Sequence, residues 1–258
     1  MVIEPVPRRG GLLDRVLQRW GQEPPGRLSL EELDRLHAAY LREVPFENAT
    51  KLVKASRTGG NAASIRGPVE FWEEHLRWGS GGTCFASTFA YQFLLRYLGF
   101  SSFPVFCQLP AESLEAHAAL LVDLDGRRVL VDVGYALPAP LPLPGSAALR
   151  RATPYYDMEI RPGPGGECLV FSEDDRGQRF RYRFHPKAVG EAEYQRAWGW
   201  TFRREAPYMR RLALGRFLAG TRYLYKDPER VFEITRAGER ATPLDTPRET
   251  ALSRLFGL

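Results

Sequence analysis

The hydrophobic period of this 258-residue chain changes once, near residue 103, and that change constrains the fold more than any other feature. Before it, apolar residues recur at helical spacing: Leu12, Leu13, Val16, Leu17 and Trp20, then Leu33, Leu36, His37, Tyr40 and Leu41. After it, the runs are short, apolar and rich in valine: PVFCQLP, AALLVDL and RVLVDVGY. A helix-period stripe cannot bury itself as a strand, nor an alternating run as a helix. The chain therefore reads as α+β, with a helical first part and an antiparallel sheet or barrel after it.

Punctuation sharpens the reading. Ser29 followed by Glu32 is a capping box opening a helix over 29–44, and Pro45 ends it. Residues 55–67 are small and polar and read as a loop; Pro68 suits a first helical turn enriched in Glu70, Glu73 and Glu74. FASTFAYQFLLRYLGF reads as a helix that Gly99 stops. YYDMEIRP, ECLVFSE and RFRYRFHP extend the sheet, and the proline-rich stretch 138–147 reads as a loop over it. In the last third, YMRRLALGRFLAG reads as helical, VFEITRAGERATPLD as a hairpin and TPRETALSRLFGL as a terminal helix. The expected division is 1–99 helical, 100–195 sheet and 196–258 mixed.

Composition narrows the function classes. Net charge is +5, almost all of it arginine, because the only lysines are Lys51, Lys54, Lys187 and Lys226. No dense basic run with interleaved aromatics stands out, so nucleic acid is not an expected partner. Three scattered cysteines, Cys84, Cys107 and Cys168, form no CxxC pair, which argues against a disulfide framework or a structural zinc site. A reducing, cytoplasmic setting is expected: MVIEPVPRRGG lacks a signal-peptide core, and no segment approaches the roughly 20 apolar residues of a membrane span. No two histidines have ligand-like spacing, so no metal is expected; His37, His75 and His185 read as structural, and Cys107 and Cys168 as small buried side chains.

Three residues carry candidate chemistry. Cys84 stands in SGGTCF, just before a helix, where the dipole and free first-turn amides favour negative charge on sulfur and could face an oxyanion. Gly81 and Gly82 are expected to give a sharp turn and room for substrate. For a lone cysteine, a buried structural role is the commoner explanation of Cys84. His117 opens HAALLVDL, either as a base or as a cap on a strand edge. Asp132 interrupts the apolar VLVDVGY, where a carboxylate is costly unless paired. The Asp125-Gly126 turn lies between them, so paired residue numbers in that hairpin should sum to about 251. His117 and Asp132 then fall nearly opposite or diagonal on one face. The order Cys, His, Asp, with the cysteine on a helix and the others on a sheet, is that of papain-like and transglutaminase-like sites.

These residues also carry a family likeness. Val44-Pro45-Phe46-Glu47-Asn48, Gly81-Gly82-Thr83-Cys84-Phe85, His117 and Asp132-Val133-Gly134-Tyr135 together resemble the arylamine N-acetyltransferases, densely over 29–145 and thinly over 146–235. The resemblance implies a helical bundle, a β-barrel and an α/β lid. It implies ping-pong transfer of acetyl from acetyl-CoA, through a cysteine thioester, to an arylamine or hydrazine. Cys84 would be the nucleophile, His117 the base and Asp132 its orienter, with Phe46, Phe85 and Tyr135 in the acceptor pocket. Small molecules are the implied partners. Three departures stand out: Ser80 replaces the family's arginine, Ala86-Ser87-Thr88 replace its acidic residue and asparagine, and Ala136 replaces a glycine. Glu47 is thus expected to lack its cation. Other readings are an amide synthase of the same fold, a transglutaminase-like or protease-like hydrolase, which PFEN disfavours, and a non-catalytic relative binding an acyl-CoA or an aromatic metabolite.

Overall fold

The computed structural model describes residues 11–110, 117–135, 137–218, 220–244 and 246–257. Ala136, Leu258 and nearly all of MVIEPVPRRGG lie outside that set. Five helices come first: α1 (Leu12–Arg19), α2 (Leu30–Glu43), α3 (Ala49–Thr58), α4 (Pro68–Trp78) and α5 (Cys84–Tyr97). Ser29 caps α2 by accepting from the Glu32 amide at 3.2 Å, and Pro68 is the first residue of α4. Trp20, Tyr40 and Trp72 meet edge to face at the centre of the bundle, with Leu33, Leu36 and Leu94 fully buried around them. Each such large apolar side chain contributes roughly 1.5–3 kcal/mol.

α5 is the most enclosed helix. Phe85, Tyr91, Leu94 and Leu95 have no exposed surface, and even Ser87 and Thr88 are buried. It packs on an eight-stranded antiparallel, barrel-like sheet built from β2 (Ser101–Gln108), β3 (His117–Leu124), β4 (Arg127–Val131), β5 (Leu141–Pro142), β6 (Leu149–Arg151), β7 (Asp157–Pro162), β8 (Cys168–Asp174) and β9 (Gly177–Phe184). Their spatial order is β5-β4-β3-β2-β9-β8-β7-β6. After α6 (Glu191–Trp200) comes a second sheet, in which β10 (Leu214–Leu218), β11 (Thr221–Asp227), β12 (Arg230–Thr235) and β13 (Gly238–Pro243) follow β1 (Phe46–Glu47) in that order. α7 (Arg248–Phe256) seats Phe256 against Leu214, Tyr225 and Val231. The α+β architecture of bundle, barrel-like sheet and α/β lid is thus present.

Two local readings change. The loop expected over 55–67 starts only after Thr58, because α3 runs on until Gly59 takes a left-handed conformation (φ 84°). The helix expected within 208–220 is instead strand β10, preceded by a short 3₁₀ turn at Pro207–Met209. Helix-forming residues lose there to tertiary pairing: β10 is hydrogen-bonded to β1 on one side and β11 on the other. A side chain at Gly215 would crowd Leu224 at 3.1 Å.

Candidate active site

The β3–β4 hairpin sets one side of the site. Asp125 (φ 50°) and Gly126 (φ 73°) both lie in the left-handed region, as a type I′ turn demands. Leu120 pairs with Val131 and Leu121 with Leu130, so the register is the expected one. Asp132 sits one residue past the end of β4 rather than inside it. There its Oδ1 accepts from the amides of Gly134 (2.9 Å) and Tyr135 (2.8 Å), and its Oδ2 meets His117 Nε2 at 2.8 Å. Burial opposes charge on His117, but the Asp132 carboxylate and hydrogen bonds to Asp132 and Cys84 outweigh it and raise the imidazole to about 10. Burial likewise opposes charge on Asp132; the attraction of His117 and the amide donors outweigh it and hold the carboxyl below its usual range. With Nε2 given to Asp132, the other ring nitrogen is left for the Cys84 sulfur.

The helix brings the sulfur to that nitrogen. Cys84 is the first residue of α5, and the Thr83 side chain makes no cap hydrogen bond, so the first-turn amides are not taken up by the cap. Thr88 Oγ1 donates to the Ala118 carbonyl at 2.9 Å, one residue from His117, and Ser87 Oγ donates to the Gly82 carbonyl at 3.0 Å. The residues that depart from the family pattern therefore provide ties of their own. A Cβ at Gly134 would lie 2.6 Å from Cys84 Cβ and 3.1 Å from His117 Cε1, so only glycine lets the strand end close on the cysteine.

Gly81 and Gly82 serve packing rather than a left-handed turn, since neither has positive φ. A Cβ on Gly81 would strike the Pro45 carbonyl oxygen at 1.8 Å, and one on Gly82 would press Phe71 at 3.0 Å. The expectation that Glu47 lacks a cation is also corrected. Arg66, which sequence reasoning passed over, is 5 % exposed and brings its guanidinium between α4 and this loop. Nη2 donates to the Gly81 carbonyl. Nη1 lies 3.8 Å from Glu47 and 2.9 Å from Glu74, the latter off the axis of a hydrogen bond, and the guanidinium stacks on Phe71. Glu47 also accepts from the Thr50 amide at 2.9 Å.

A cleft of about 420 Å³ opens over the cysteine, lined among others by Phe46, Lys51, Cys84, His117, Tyr135, Trp200 and Tyr208. Phe46 and Tyr135 thus face it. Phe85 does not: it is fully buried against Phe106, Tyr194 and Trp198. Lys51, one of the four lysines, has no sequence signal that places it in the site. The remaining cysteines and two of the remaining histidines are structural: Cys107 and Cys168 are buried free thiols, Cys107 directly opposite His117 in the register. His75 accepts from Trp20 Nε1 at 3.1 Å and donates to the Ser80 carbonyl at 2.9 Å, and burial lowers it to about 4. His37 bonds the Leu137 carbonyl.

The family model described as N-acetyltransferase matches residues 29–229. The chain belongs to the N-acetyltransferase family. Members are enzymes that transfer acetyl groups, and the likeness seen in PFEN, GGTCF and DVGY holds across most of the chain. Solved structures share the fold of this family member. An arylamine N-acetyltransferase from Salmonella typhimurium is 21% identical, with a TM-score of 0.79, covering 96% of this chain and 91% of that one. One from Mycobacterium marinum is 17% identical, with a TM-score of 0.82, covering 95% and 92%. One from Bacillus cereus, described with a Cys-His-Glu triad, is 18% identical, with a TM-score of 0.76, covering 95% and 96%. No curated protein sequence matches. Among the described residues no helix is long and apolar enough to cross a membrane, and no three His, Cys, Asp or Glu side chains group as metal ligands.

Proposed function

We propose that this enzyme moves an acetyl group from acetyl-CoA to the nitrogen of an arylamine or hydrazine through a thioester on Cys84. The observation that carries it is the line Asp132–His117–Cys84 at the floor of the cleft. The Cys84 thiolate, paired with the His117 imidazolium, attacks the acetyl carbonyl, while first-turn amides of α5 face the developing oxyanion. The C–S bond to coenzyme A breaks and its sulfur takes the proton from His117. The amine then attacks the thioester, His117 accepts the nitrogen's proton, and the Cys84 sulfur leaves. Asp132 orients the imidazole and stabilises its charge. Phe46 and Tyr135 contact the aromatic acceptor, and the burial of Phe85 gives it a packing role.

Intact mass after incubation with acetyl-CoA and no acceptor tests this. One added acetyl group, absent in Cys84→Ala and discharged by an arylamine, is expected. Reversible binding without any adduct from any acyl-CoA would assign the chain to the non-catalytic reading. Arg66 supports the catalytic one, because it brings a cation to Glu47 from the segment just before α4, where Ser80 offers none.

A further inference from the structure

Lys51 is a buried cation that no carboxylate among the described residues answers. It is 8 % exposed, yet among the described residues no Asp or Glu pairs with it. Its Nζ donates to Thr201 Oγ1 at 2.8 Å and lies 4.8 Å from the centre of the Phe202 ring. A hydroxyl and an aromatic face are weak company for a buried ammonium. The neighbouring cations differ: Lys54 is paired with Glu70 at 2.5 Å and Arg66 with Glu47 and Glu74. Lys51 also lines the cleft over Cys84, and among the described lining residues the only other groups that carry charge are the paired Cys84 and His117. Burial pushes the ammonium down to about 8, against a small opposing pull from Cys84, so it remains mostly charged at neutral pH.

We infer that Lys51 is a specificity-determining residue that pairs with a carboxylate brought into the cleft by the substrate. The inference rests on the acyl-transfer reading above and deepens it. The carboxylate can arrive from two sources: on the acceptor, as in an aminobenzoate, or at the far end of the acyl group, as in a malonyl or succinyl thioester. In either case it meets a desolvated ammonium already positioned by Thr201 and Phe202, which lie at and just beyond the end of α6. A neutral substrate would leave that ammonium without a counter-charge.

The test uses the full-length enzyme and Lys51→Met. With acetyl-CoA held as donor, 4-aminobenzoate is compared with its neutral methyl ester. With a neutral acceptor held, succinyl-CoA and malonyl-CoA are compared with acetyl-CoA. The expected result is a preference for the charged member of one pair of at least about tenfold in kcat/KM, collapsing in Lys51→Met mainly through KM and retained in Lys51→Arg. Which pair shows it names the source. No preference in either pair, or a preference untouched by Lys51→Met, overturns the inference. So does an equal loss with charged and neutral substrates together with slower alkylation of Cys84 by iodoacetamide, which would assign Lys51 to the sulfur instead. Quenching of tryptophan fluorescence, with Trp200 in the cleft wall, reads binding of 4-aminobenzoate against its ester without turnover. If no acyl-enzyme forms at all, the acyl-transfer reading fails while the carboxylate preference is still measured.

Discussion

The two sides of the site are built differently. On the strand side, His117 and Asp132 are 15 residues apart and joined by one hairpin whose turn and register are local. On the helix side, Cys84 depends on groups brought from far along the chain: Pro45 against Gly81, Arg66 on the Gly81 carbonyl, Thr88 on Ala118 and Gly134 against its own Cβ. A local device places its residues through turn geometry. A long-range device holds only if the whole bundle packs. The strand side should therefore fail in chemistry when altered, and the helix side in stability or fit.

Asp132→Asn tests that contrast hardest. It keeps the shape of the hairpin but removes the charge that holds His117 protonated, and kcat/KM should fall by about 10³–10⁴-fold with little change in fold. A comparable loss of folding stability would show the strand side to be structural too. Arg66→Met acts on the other side. It leaves Glu47, which has no exposed surface, without its cation, and should lower the unfolding free energy by about 3–5 kcal/mol in urea titration. A change under about 1 kcal/mol would mean that Thr50 alone satisfies Glu47.

Gly134→Ala probes where the two sides touch. The added methyl must push Cys84 from the imidazole, and misplacement on the order of 1 Å costs about 10²-fold in rate. Acyl-enzyme formation should slow accordingly while the far-ultraviolet dichroism stays unchanged.

The most gradual effect is in pH dependence. His117 is raised to about 10, above its unfolded value near 6.5, so the charged pair stabilises the fold fully below about 6.5. That contribution is lost as pH climbs towards 10, with a slope of at most about 1.4 kcal/mol per pH unit. Asp132, held low, adds stability that is lost only in acid. Chemical denaturation between pH 7 and 10 should show a steeper decline in the wild type than in Asp132→Asn. Equal slopes would mean that the imidazole is neutral in the folded enzyme.

Legibility in the sequence followed the same division. The hairpin was readable because Asp125-Gly126 admits one turn type and one register, and Ser29, Pro68 and Gly99 mark helix ends through local backbone chemistry. Helix α3 is hard to read because its buried face carries Lys51 and Ala55 rather than large apolar side chains, so Lys51 does not stand out as a site residue. Strand β10 is not legible in the sequence because its own residues favour helix, and its partners β1 and β11 make it extended.

The sequence by itself thus determined the period change, the α+β class, the hairpin and the three candidate residues of the site, since each follows from spacing, turn geometry or the cost of a lone buried carboxylate. Only the tertiary structure decided that Arg66 stands beside Glu47, that Phe85 packs inward while Phe46 and Tyr135 face the cleft, and that Lys51 meets no carboxylate among the described residues. Those outcomes depend on which distant surfaces are brought together and desolvated, and neither contact nor dielectric environment is encoded in the spacing of neighbouring residues.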